Sequence, residues 1–171
     1  MDLPERKPLR LKEYDYSQSG AYFVTVCLKP RLPLFGRVVG AGPRPARTEL
    51  SPFGQIVVDT WNDLPEHIPG IALGPFIVMP DHIHGIVLLD DRAGLGPAPT
   101  PLPEIMRQLK SFSARKINLL RGTPGTPLWQ RGYYEHVIRN HADFDAAAEY
   151  IQTNPARRWE RQTEPARKET R

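Results

Sequence analysis

The stretch Met79-Pro80-Asp81-His82-Ile83-His84-Gly85 sets two histidines two positions apart, at the start of an apolar run that continues to Leu89. Side chains alternate across a strand, so His82 and His84 share one face while Ile83 takes the other. Two imidazoles side by side on a rigid strand are half of a metal site. Further along, Tyr150 and Asn154 lie four apart in a helical stretch, which again puts them on one face. A divalent cation beside a tyrosine hydroxyl is a toolkit for attacking a phosphodiester. The cation neutralises charge on the phosphoryl oxygens, and the phenol supplies the nucleophile.

Each of these residues also has a plainer reading. A histidine pair on a strand is more often a hydrogen-bonded feature than a metal site; the Pro-Asp lead-in and the downstream Tyr/Asn pair reverse those odds. Tyr150 alone would read as a half-buried aromatic, since Phe144, Ala147, Ala148 and Ile151 can supply the core face of its helix. Tyr133 and Tyr134 compete for the role of nucleophile. Adjacent strand residues face opposite ways, however, and neither has an asparagine at helical spacing, so they read as packing or base-stacking aromatics. His136 stands behind His82 and His84 as a ligand, and Trp129 reads equally as a base-stacking or a core-covering residue.

The elements that must hold these groups follow from periodicity and turn chemistry. Tyr22 to Leu28 is aromatic and β-branched, a strand. Leu34 to Val39 and Arg47 to Leu50 bracket a Gly/Pro-rich tip as a hairpin would. Ser51-Pro52 reads as N-cap and first helical residue of a helix running to Leu64, where Pro65 stops it. Ile71 to Val78 and His82 to Leu89 are two more strands, with Pro80-Asp81 as the corner between them. Residues 90–103 read as a loop and Glu104 to Leu120 as a helix. Tyr133 to Arg139 reads as a strand, and Asp143 to Asn154 as a helix closed by Pro155. Without the hairpin the order is β-α-β-β-α-β, which predicts an α+β fold: a ferredoxin-like split β-α-β with an antiparallel sheet, helices on one face and an added C-terminal helix carrying Tyr150. No internal repeat is visible.

Composition sets the frame. With 171 residues, 40% hydrophobic and 25% charged, one domain with a real core is expected. Residues 1–13 are polar and basic and read as a flexible arm, 14–156 as the domain, and 157–171 as a basic, disordered tail. The formal net charge of +4 and pI of about 9.4 suit a polyanionic partner without proving one. Cys27 is the only cysteine, so an internal disulfide is impossible. No segment approaches the roughly 18 consecutive apolar residues that a membrane span needs. The N-terminal residues hold no apolar signal core, so no membrane partner is expected, and the expected compartment is the cytoplasm, at the nucleoid of a prokaryote.

Four blocks, in order, carry a resemblance: Tyr14-Asp15-Tyr16-Ser17 with Gly20 to Cys27, Val78 to Gly85, Trp129 to Arg139, and Tyr150 to Pro155. Over residues 10–159 the chain resembles the REP-associated tyrosine transposases, a branch of the single-tyrosine HUH transposases. That resemblance implies a ferredoxin-like enzyme that cuts and joins single-stranded DNA at hairpin-forming palindromic repeats through a 5′-phosphotyrosine. It implies Tyr150 as nucleophile, and His82, His84 and Asn154 as holders of Mg²⁺ or Mn²⁺. Asn154 stands where the wider family commonly has a longer glutamine. Expected DNA contacts are Arg107, Lys110 and Arg115 on one helix, with Arg131, Tyr133 and Arg139. Monomer and homodimer both stay open. The alternative function is a host-retained protein that binds such hairpins with little or no cleavage.

Overall fold

A computed structural model of the chain describes residue 15 and residues 17–41, 44–90 and 100–163. The proposed basic arm at 1–13, the middle of the expected loop at 91–99, the hairpin tip at 42–43 and the end of the proposed tail at 164–171 lie outside the described residues.

The elements run β1 (Gly20–Cys27), β2 (Gly36–Ala41), β3 (Arg44–Leu50), α1 (Pro52–Asn62), the one-turn α2 (Leu64–His67), β4 (Ile71–Met79), β5 (His82–Leu89), α3 (Leu102–Arg121), β6 (Tyr134–Ile138) and α4 (His141–Thr163). β2 and β3 pair as the expected hairpin. The other four strands form one sheet in the order β4-β5-β1-β6, antiparallel at every junction. This is the split β-α-β arrangement expected from the element order.

The period of two along each strand divides the sheet into two faces. Tyr22, Val24 and Val26 of β1, with Ile83 and Val87 of β5 and Tyr133 just before β6, join the main core against Val57 and Trp61 of α1 and Ile105 and Leu109 of α3. Phe23, Ile86 and Ile138 point the other way and pack against Ile151, Phe144 and Ala147 of α4. Register carries the chemistry with it: Thr25 lies opposite His84, and Cys27 opposite His82, all on the α4 side.

Local chemistry sets the joints. Ser51 caps α1, its Oγ accepting from the Gly54 amide at 3.2 Å and donating to the Leu34 carbonyl at 2.7 Å. Trp61 lies flat on Phe76, ring centroids 4.4 Å apart and planes 10° off parallel. Gly85, which follows His84, leaves room for that stack: a Cβ there would meet Trp61 at 2.5 Å. Pro80-Asp81 is the expected corner between β4 and β5. Its two carbonyls accept from the Phe35 and Leu28 amides at 2.9 and 3.0 Å.

Proline as a stop signal misleads twice here: α1 already ends at Asn62, and Pro65, expected to stop it, lies in the first turn of α2. Pro155 does not close the last helix; α4 continues through it to Thr163. A proline inside a helix removes one backbone hydrogen bond and crowds the preceding turn, so tertiary packing has to hold the second half. Pro155 is itself buried, and Trp159 lies so close over Gly40 of β2 that a Cβ there would meet its ring at 2.9 Å. Residues 157–163 are therefore part of the folded domain, and the boundary expected at 156 moves outward.

Candidate active site

β5 presents His82 and His84 from successive positions on one face, and their Nε2 atoms lie 3.1 Å apart. The other nitrogen of each ring is already engaged. His82 Nδ1 meets Asp81 Oδ1 at 2.7 Å, and His84 Nδ1 meets the Thr25 hydroxyl at 2.7 Å. When Nδ1 donates in both cases, two lone pairs face each other across the remaining gap. A cation relieves that opposition. Two ligands at right angles on an ion with bonds of about 2.1 Å are about 3 Å apart, so the pair fits one divalent ion.

Burial pushes the His82 imidazole below its ordinary range, only partly offset by Asp81. Burial also takes His84 down to about 3, helped by the charges of His82 and Arg31. Both rings are therefore neutral near pH 7, the form that coordinates metals. Among the described residues, no three histidine, cysteine, aspartate or glutamate side chains are grouped so as to hold a metal ion. The Asn154 amide is buried at the same cleft.

α4 brings Tyr150 and Asn154 to this point. The Tyr150 ring stands edge-on to His84, centroids 5.2 Å apart, and edge-on to Phe23 at 5.9 Å. Phe23 in turn stacks on His84 at 5.5 Å. Tyr150 stays 38% exposed and lines the cleft, while these ring contacts steady it. Arg157 lies 5.4 Å from the ring centre, within cation–π range. The cleft has a volume of about 500 Å³. One chain supplies both histidines, the tyrosine and the asparagine.

Sequence reasoning missed the arginines here. Arg31, Arg158 and Arg161 also line the cleft. The sequence reading puts Arg158 in a disordered tail, yet its Nη1 donates to Asp81 Oδ1 at 2.8 Å, and Arg31 Nε donates to Oδ2 at 3.0 Å. Burial pushes the Asp81 carboxyl up, but these partners and His82 outweigh it and hold it below the usual range. A signal for two of the three was present. Asn154, Arg158 and Arg161 fall at helical spacing on one face, but the stop implied by Pro155 hides that pattern.

The expected DNA contacts gather elsewhere. Arg107, Lys110, Arg131 and Tyr133 line a second cleft of about 360 Å³ beside Trp129, on the α3 side of the sheet and away from Tyr150. Arg107 is engaged by Glu104 at 2.6 Å, and the Lys110 ammonium donates to the Gln130 and Arg131 carbonyls at 2.6 and 2.9 Å. Tyr133 is only 8% exposed and belongs to the core. Tyr134 is 49% exposed and meets Phe23 edge-on, on the Tyr150 side. Arg115 and Arg139 are exposed. Trp129 is buried, its Nε1 donating to Ser113 Oγ at 3.0 Å, which is the core-covering reading. His136 meets both carboxylate oxygens of Asp143 at 3.0 Å and does not line the cleft with the other histidines.

Among the described residues, no helix is long and apolar enough to cross a membrane. No protein-family model matches the chain. It belongs to one family with a Haemophilus influenzae protein described only as uncharacterised, 32% identical over 163 residues and covering 88% of each chain. A second Haemophilus influenzae protein, provisionally named a REP-associated tyrosine transposase, is 26% identical over 147 residues, 84% of this chain and 74% of that one. The solved structure of a REP-associated tyrosine transposase bound to a REP hairpin shares the fold, with a TM-score of 0.61 and 21% identity over 87% of this chain and 73% of that one. The chain is thus similar in sequence to a protein provisionally named a REP-associated tyrosine transposase, and in fold to a solved structure of one.

Proposed function

We propose that the protein is a DNA nicking and joining enzyme acting on hairpin-forming palindromic repeats, with Tyr150 as nucleophile. The observation that carries this reading is the meeting of the Tyr150 ring with the converging His82 and His84 imidazoles in one open, arginine-lined cleft.

His82, His84 and Asn154 would hold Mg²⁺ or Mn²⁺, which when bound supplies Lewis-acid polarisation of the scissile phosphate. The chain's own groups do the rest. Asp81 and Thr25 fix the two imidazole orientations, and Phe23 steadies Tyr150 against His84. The Tyr150 oxygen forms a bond to phosphorus and gives up its proton. The bond to the 3′ oxygen breaks, and that oxygen leaves as a hydroxyl after taking up a proton. The phosphotyrosine ester keeps the energy of the broken bond, so joining to another 3′ end needs no ATP. Hairpin DNA is the proposed partner because the hairpin-bound relative shares the fold, and Arg107, Arg115, Arg131 and Arg139 are proposed contacts to its backbone.

A suicide oligonucleotide carrying a repeat hairpin tests the reading. Wild type should form a denaturation-resistant adduct in Mg²⁺ or Mn²⁺, and Tyr150→Phe should bind the oligonucleotide but form none. An adduct that persists in Tyr150→Phe and disappears in Tyr134→Phe would show that Tyr150 is the wrong tyrosine. Tight binding with no adduct in wild type would favour the hairpin-binding alternative.

A further inference from the structure

We propose that Arg31 and Arg158, held together by the carboxylate of Asp81, grip the DNA phosphate next to the one that is cut. This rests on reading the cleft as a nuclease site. The Asp81 side chain is 10% exposed, and its two oxygens receive Arg31 Nε at 3.0 Å and Arg158 Nη1 at 2.8 Å. Oδ1 also meets His82 Nδ1 at 2.7 Å, so the carboxylate joins the arginine pair directly to one of the converging imidazoles.

A guanidinium carries five N–H donors in a planar fork. Asp81 occupies one edge of each arginine, and Arg31 Nη2 also approaches His82 Nδ1 at 3.4 Å. The Arg31 and Arg158 side chains remain 51% and 26% exposed. Both line the cleft with Arg161, and among the described residues no aspartate or glutamate lines it. Three cations thus face one carboxylate set behind them, and the surplus charge suits a phosphate diester. Asp81 fixes the forks before DNA arrives, which lowers the ordering cost of binding. The two arginines come from the loop after β1 and from the second half of α4, so a phosphate held by both also ties those segments across the cleft.

The test scans binding in the Tyr150→Phe chain, where cutting does not interfere. The probe is a labelled repeat hairpin with single-stranded flanks, in which one phosphate at a time is replaced by a neutral methylphosphonate. Replacement beside the cleavage position, mapped separately with wild type, should cost roughly ten- to hundred-fold in affinity, as losing a charged hydrogen bond does. Adding Arg31→Met should shrink that penalty several-fold and leave the penalties elsewhere intact; Arg158→Lys, which keeps the charge but loses the fork, should also shrink it. A pattern unchanged by both substitutions, or an arginine-dependent penalty at a phosphate not adjacent to the cut, would overturn the clamp. If wild type forms no adduct, the nuclease reading fails on its own. An Arg31-dependent penalty confined to one phosphate would then still support the clamp, and its absence would still overturn it.

Discussion

His82 and His84 are buried as well as candidate ligands, so removing either leaves a void against Phe23 or Asp81. His82→Ala and His84→Ala should lose divalent-dependent cleavage by orders of magnitude and lose Mn²⁺ binding in calorimetry; full activity of either variant in Mg²⁺ would refute the ligand assignment. The depressed His84 pKa also makes stability depend on pH. The unfolded chain binds a proton near 6.5 that the folded chain refuses until about 3. This group's contribution to stability is therefore complete above 6.5 and is lost as the pH falls towards 3. Thermal melts without metal should show that loss, and His84→Gln should flatten it. That His82 shares a face with His84, and Tyr150 with Asn154, was legible in the sequence because strand and helix periods fix their faces. The roles of Arg31 and Asp81 were not, because their pairing depends on a loop meeting a corner 50 positions later.

The two helical layers are held by different contacts. The α1 layer depends on the close approach at Gly85, so Gly85→Ala should overpack Trp61 and cost about 1–3 kcal/mol, measured by denaturant unfolding. An unchanged midpoint would show that Trp61 can move aside. α4 was only half legible. Proline is a sound stop signal locally, but burial of Pro155, the seat of Trp159 over Gly40 and the bond from Arg158 to Asp81 all act across the fold. A chain ending at residue 156 should keep its sheet, by circular dichroism, yet lose adduct formation. Undiminished adduct yield would show that the second half of α4 is dispensable to the cleft. The split β-α-β arrangement with its antiparallel sheet, by contrast, followed from the element order, because the connections leave few ways to pair four strands.

Across the molecule, the net charge of +4 and the arginines of both clefts predict salt-sensitive DNA binding. The logarithm of affinity should fall linearly with the logarithm of salt concentration, by about 0.7–0.9 per phosphate contacted; a slope near zero in filter binding would contradict it. The alternation along β5 also couples folding to function. Its odd-numbered residues Ile83 and Val87 fill the α1/α3 core while its even-numbered His82 and His84 face α4. Slipping β5 by one position would drive both imidazoles into that core and strand Ile83 in the open cleft. Misregistered copies would forfeit so much apolar burial that they could not persist as folded molecules. Folding thus screens for assembly of the cleft, and a cell that removes unfolded chains also removes those with misplaced histidines.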